Sequence, residues 1–371
     1  MKKTSSIALF LLALACFWTA GIKQDSLLKK RAAYHLDSGA PLENAPPLMA
    51  FTTVVLGGFS GLLADVLWLR ISYLQDDGKY LEIVQLADWI TKLEPRCEEI
   101  WNFHAWNIAY NVSAAMPDDE DRWRWVNNGI KLLRDEGMIY NPANGPLCLD
   151  IGWMFHDKLG RDIDESQRYY RFKWSEEMTG LFGGAKPDYQ RIQSDPAMFR
   201  RFRDEYKLIP DIMKEIDAAY GPLDWRLPQA HAIYWAYRGR NLCDKTPTIQ
   251  YDRMIYQAMV VAFMKGRIVS YSNYETFATG PNLDLLPNVL KTFDAMARKY
   301  PRIAGVESAY ANFLTHATLL LHDYQHIDES RAVYDLLCRT FPSKETAAGY
   351  DEFVVAARAN VISHQPQPAG K

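Results

Sequence analysis

Cysteine is sparse and scattered: the five residues, at 16, 97, 148, 243 and 338, form no CxxC and no paired ligand spacing. No zinc site or dithiol centre is encoded locally. Cys97, Cys148, Cys243 and Cys338 read as small buried apolar residues, with disulfides left open should the compartment be oxidising. The chain also lacks GxGxxG, a Walker loop, HExxH and GxSxG. The local geometry for dinucleotides, nucleoside triphosphates, zincin chemistry and α/β-hydrolase chemistry is therefore missing, and no cofactor is expected. Charge of one sign is missing too. With 42 basic against 45 acidic residues the net charge is -3, which leaves no basic footprint and argues against a nucleic-acid partner. No alternating β pattern of useful length competes with helix.

Aromatic and apolar residues are abundant: 11 Trp and 21 Tyr in 371 residues, 48% of which are hydrophobic. That supply suits the packing of helix pairs. Its other use would be a stacking groove for sugars or peptides.

Residues 1–22 read as a signal or membrane anchor: Met1–Lys3 form a basic start and Ile7–Ile22 an uncharged, mostly apolar run. Cleavage after Ala20 would put Trp18 three residues before the scissile bond, which favours an uncleaved anchor. Leu14-Ala15-Cys16 departs from a lipoprotein acceptor at Ala13 and Leu14. Lys23, Lys29, Lys30 and Arg31 outnumber Lys2 and Lys3 and oppose simple export. The order of basic start and apolar run nevertheless places the rest of the chain on the extracytoplasmic, periplasmic side. Residues 23–47 form a linker ending in Pro41, Pro46 and Pro47. Leu48–Leu69 then carries one charge, Asp65, in 22 residues. It is long enough to span a bilayer, but Asp65 and the stretch Trp68–Tyr73 favour a buried helix running on to about Gln75.

From Gly78 to Pro95 the chain reads GKYLEIVQLADWITKLEP. Gly78, Tyr80, Ile83, Ala87, Ile90 and Pro95 stand where a tetratricopeptide repeat has its Gly, its aromatic, three packing residues and its closing Pro. Gly ends one helix, Pro ends the next, and the three packing residues share a helical face. Trp101, Ala105 and Pro142 repeat part of the pattern. So do Val289, Phe293, Met296 and Pro301, and then Ser330, Tyr334, Leu337 and Pro342. The chain thus resembles a divergent tetratricopeptide-repeat protein. The resemblance implies an all-α fold, a solenoid of antiparallel helix pairs with irregular period, since closing prolines 95 and 142 stand 47 apart against about 34 in the regular repeat. Leu149, Gly152 and Phe155 open a third pair, whose partner is expected at about Asp164–Met178. Turn signals between Gly180 and Pro196 divide N-terminal repeats, 48–179, from C-terminal repeats, 180–363, which carry an aromatic loop. Residues 364–371 form a tail.

Candidate chemistry is thin. His322 and His326 are four apart beside Asp323, Asp328 and Glu329, but a helix end between them would scatter the side chains, so no metal is expected. Met116–Asp121 is an acidic helix start without calcium-loop spacing. Asp224, Trp225, Arg226, His231, Tyr234 and Trp235 could line a sugar pocket in a toroid of helix pairs. A glycosidase needs two carboxylates, however, and only Asp224 is conspicuous. The structural reading has Trp225 and Leu227 docking the loop and Arg226 paired with a carboxylate.

A solenoid without a catalytic motif is a binding surface lined by the first helix of each pair. The expectation is a non-catalytic, envelope-anchored scaffold for a protein partner, with Trp68, Ser72, Asn102 and Trp106 facing the groove. A carbohydrate-active helical toroid is the alternative.

Overall fold

The computed structural model describes residues 18–19, 30, 59–243, 248–301, 303–342 and 349–363. The expected anchor, linker and tail, and the start of the second apolar run, lie outside these residues but for Trp18, Thr19 and Lys30. The chain divides into two compact units, Met1–Ser60 and Gly61–Lys371, and the packed helices described below lie in the second from Gly61 onward.

The protein is predominantly α-helical. Helices α1 (Phe59–Asp76) and α2 (Tyr80–Leu93) are followed by α3 (Glu98–Trp106, prolonged by a π turn, Asn107–Val112). Then come α4 (Asp119–Lys131, prolonged through Leu132–Gly137 and Met138–Tyr140) and α5 (Gly145–Trp153, prolonged by a π turn, Met154–Leu159). Four more follow: α6 (Gln167–Phe182), α7 (Tyr189–Ser194), α8 (Pro196–Arg200, prolonged through Arg201–Glu205) and α9 (Pro210–Tyr220). The remainder are α10 (Pro228–Leu242), α11 (Ile249–Lys265), α12 (Leu286–Lys299), α13 (Ala304–Asp323), α14 (Ile327–Thr340) and α15 (Tyr350–Ser363).

Local chemistry sets the boundaries. Gly78 takes φ 68°, and the amide of Lys79 donates to the Leu74 carbonyl at 3.0 Å, so the last carbonyls of α1 are satisfied by a left-handed residue without a Cβ. In α2, Ile83, Ala87 and Ile90 are all fully buried. The Pro95 carbonyl beyond it accepts from Trp101 Nε1 (2.8 Å) and Asn141 Nδ2 (3.0 Å), which ties the closing proline to the next two helices. Asp118 caps α4 by accepting from the Asp121 amide at 2.8 Å, and Asn144 caps α5 through the Leu147 amide at 2.7 Å.

Small residues decide which helices lie closest. A Cβ on Gly129 of α4 would stand 2.9 Å from the Ala105 carbonyl oxygen of α3. On α5, a Cβ at Gly152 would meet the Ala232 carbonyl of α10 at 3.3 Å; on α10, a Cβ at Gly239 would meet the Gly145 carbonyl of α5 at 2.8 Å. Early α5 therefore lies by late α10 and late α5 by early α10, an antiparallel crossing too tight for larger residues. The close partner of α5 is thus α10, not the helix expected at Asp164–Met178. Most of that segment lies in α6, which starts at Gln167 and packs beside α4 and the π turn of α5, because Tyr170 and Trp174 are drawn into the same core. This core includes residues on both sides of position 180, from Trp101 to Ala357. Helix α10 is buried almost all round, with Ala232, Ile233, Tyr234, Trp235 and Ala236 at most 1% exposed.

The long loop between α11 and α12 contains an antiparallel hairpin, β1 (Arg267–Ser270) and β2 (Ala278–Gly280). Its strands are too short to carry the alternating pattern by which strands are read.

Helix α1 is apolar on two sides. Ala64, Ile71 and Leu74 pack with Ile83, Ala87, Ile90 and Ile100 in a second core, whereas Leu62, Leu63, Val66, Leu69 and Tyr73 are exposed. Among the described residues no helix is long and apolar enough to cross a membrane.

Candidate functional site

The residues expected to face a groove are distributed unevenly. Trp68 is half-buried and meets Phe103 edge-on at 4.7 Å, so it serves packing between α1 and α3. Ser72 donates back to the Trp68 carbonyl at 3.1 Å, and Asn102 is half-buried. Trp106 is 42% exposed and stacks on Tyr110 at 5.2 Å.

The aromatic loop is an interior joint. Trp225 is fully buried and its Nε1 donates to both oxygens of Asp217, at 3.0 and 3.1 Å. Asp224 is buried and receives Arg226 through Nε (2.8 Å) and Nη2 (2.7 Å), so neither carboxylate oxygen is offered to a substrate. His231 meets the Trp225 carbonyl at 2.9 Å, packs against Phe155 and Trp174, and is pulled down to about 3 by burial. Trp235 is buried beside Tyr234. Toward α14, His326 pairs with Glu329 at 2.5 Å while His322 lies 3.6 Å from Asp323. The turn at Tyr324 sets the two histidines on different partners.

A cleft of about 390 Å³ opens instead between α5, α11, α12 and α13. Trp153 stands at its edge, 41% exposed, and Tyr256, Phe293 and Phe313 make its aromatic wall. Phe293 is central to that wall, stacked 5.4 Å from Phe313 and tilted against Tyr256 at 5.0 Å. Its polar groups are His156, Arg161, Gln257, Asn312 and His316. No carboxylate is among its lining residues.

The π turn of α5 is what brings polar residues here. A π turn widens the helix and shifts the angular register of the residues beyond it. His156, Asp157 and Lys158 are consecutive in it, and all three are buried. Lys158 is neutralised by Asp164 at 2.5 Å and lies 4.9 Å from the centre of the Tyr110 ring. Asp157 accepts from the Tyr110 hydroxyl (3.0 Å) and from Arg161 (2.9 Å). His156 alone lacks compensation: it is 5% exposed and its Nδ1 has no hydrogen-bond partner. Burial, and secondarily the Arg161 charge, lower its pKa to about 4, against an opposing pull from Asp157, so at neutral pH the ring is uncharged. His316 is also lowered by burial.

Sequence spacing missed this site because its residues run from 153 to 316 on four helices. The usable signal was a His-Asp-Lys run inside an apolar helix. Trp106 connects with it indirectly, since Tyr110, on which it stacks, shares Asp157 with Arg161. No family model, no curated protein and no solved structure matches the chain.

Proposed function

We propose that the chain is a non-catalytic, envelope-anchored scaffold, a tetratricopeptide-like solenoid whose aromatic cleft receives an apolar side chain of a protein partner. What supports the solenoid is a recurrent crossing of small residues: Ala105 with Gly129 in α3/α4, Gly152 with Ala232 in α5/α10, and Ser330, whose hydroxyl donates to the Thr318 carbonyl at 2.7 Å, in α13/α14. On this reading α1/α2, α3/α4, α5/α10, α11/α12 and α13/α14 are successive pairs and α15 caps the last. Residues 160–227 are then an insertion within the third pair, a second departure from a regular period besides the 47 residues between Pro95 and Pro142. First helices contribute Trp106, Trp153, Tyr256 and His316 to the binding face. The membrane tether rests on the basic start and apolar run of residues 1–22.

The observation that carries the binding reading is the open aromatic cleft itself: Tyr256, Phe293 and Phe313 line it and Trp153 is 41% exposed beside them, apolar surface that a partner's side chain would take out of water. The glycosidase alternative needs two carboxylates across a scissile bond; the cleft lining offers none, and Asp224 is occupied by Arg226. The test is a photo-crosslinker at exposed Asn312 in the full chain in its own membranes. A defined protein adduct should form there and vanish when Ala309→Trp fills the cleft with helicity unchanged. An adduct indifferent to Ala309→Trp, or glycan turnover by the purified chain that Asp224→Asn abolishes, refutes the reading.

A further inference from the structure

A second cavity, of about 250 Å³, lies between the end of α9, α10, α11 and α12. Its floor is apolar, from Ala219, Ile255, Ala295 and Met296, while Arg240, Lys291, Lys299 and Asp252 supply the charge. Asp252 is 6% exposed. One oxygen accepts Arg240 Nη1 at 2.8 Å, and the other accepts Lys299 Nζ at 2.6 Å and the Tyr300 hydroxyl at 2.7 Å. Burial raises this carboxyl, but the donors from Lys299, Arg240 and Tyr300 together more than offset it and hold it below the ordinary value. It is therefore ionised at neutral pH, and it is the only acid among the cavity's lining residues.

One carboxylate faces three cations, and no acid pairs with Lys291 among the described residues. The cavity thus carries an excess of two positive charges beside an apolar floor. Lys291 and Lys299 are both exposed, the Lys299 side chain at 51%, so the attraction they exert acts at short range and weakens with salt. Arg240 directs only Nη1 to Asp252 and to the Tyr220 hydroxyl, the latter at 3.3 Å, and its guanidinium has five donors in all.

We propose that this cavity binds a small amphiphilic carboxylate, with the head among Arg240, Lys291 and Lys299 and a short aliphatic body on Ile255, Ala295 and Met296. A purely anionic ligand would leave the floor wet, and a neutral one would leave the charge uncompensated. The site is separate from the aromatic cleft, although α11 and α12 border both.

The test uses the full chain in detergent and ligand-observed NMR with hexanoate as probe, with hexanol, acetate and inorganic phosphate as competitors. Hexanoate should bind, and the three competitors should displace it at least about tenfold less well, because each lacks the head or the body. Lys291→Glu, at an exposed position, should weaken hexanoate about tenfold or more, and added salt should weaken it further. Ala295→Phe, which occupies the floor, should abolish it. Far-UV circular dichroism of both variants verifies the fold, and the shared detergent background cancels between them. Equal hexanoate signals in wild type and both variants would overturn the proposal. So would hexanol or phosphate competing as strongly as hexanoate, which would make the site merely apolar or merely anionic.

Discussion

Replacing Gly239 by alanine tests the close crossing of α5 and α10. A Cβ there would stand 2.7 Å from the Tyr251 ring, 2.8 Å from the Gly145 carbonyl oxygen and 3.0 Å from Cys148 Cβ. Two of these neighbours belong to α5 itself, so the methyl can be accepted only by moving a helix. Forcing extra volume into such a contact costs about 1–3 kcal/mol. Alanine at a helical position recovers about 0.5–1 kcal/mol relative to glycine, which leaves a net loss of roughly 0–2.5 kcal/mol, and three neighbours at 3.0 Å or closer put it in the upper half of that range. Gly180 is the matched control: it lies in α6, is exposed, and an added Cβ meets nothing within 4 Å. Gly180→Ala should therefore gain about 0.5–1 kcal/mol from the same propensity difference. Urea unfolding of the full chain in detergent, followed by far-UV circular dichroism, should show the midpoints moving in opposite directions at unchanged slope. Gly239→Ala as stable as wild type, with Gly180→Ala stabilised, would mean that α5 and α10 do not meet at this register.

Acid sensitivity should trace to buried histidines. His104 is 3% exposed with neither ring nitrogen paired, and burial holds it at about 4. The unfolded chain takes up this proton near pH 6.5 while the native one does not, so the contribution is lost as pH falls through that window, at about 1.4 kcal/mol per pH unit. His104→Leu should gain about 2 kcal/mol over wild type at pH 5 by urea midpoint, and a smaller gain there than at pH 7 would contradict it. Asp224→Asn should destabilise the fold by about 2 kcal/mol, since it breaks a bidentate pair around a buried carboxylate. The Asn312 adduct should persist in the folded variant, and its loss would place the loop in the binding site. Tyr334, buried against Tyr350 and Phe353, should cost about 3 kcal/mol when cut to alanine. A loss under about 0.5 kcal/mol would mean the ring is exposed.

Helix class, and many helix ends, were legible from the chain alone because their causes are local. Gly78 frees a left-handed turn, Asp118 caps α4 with its own carboxylate, and Ile83, Ala87 and Ile90 share one face through the 3.6-residue period. The docking of the loop by Trp225 and Leu227 and the pairing of Arg226 with a carboxylate were legible in the same way, while only the folded chain identifies that carboxylate as Asp224. Which helix lies against which was not legible. Gly152 announces that something comes close, but only the folded chain supplies Ala232 and Ala236, some 80 residues on, rather than the nearer aromatic helix. The cleft belongs wholly to tertiary structure, because a π turn rotates His156 inward and its wall comes from helices without shared spacing. The second cavity obeys the same rule: Arg240, Asp252, Lys291 and Lys299 are unremarkable surface-type residues in sequence, and form a cluster with excess positive charge only where α10, α11 and α12 converge.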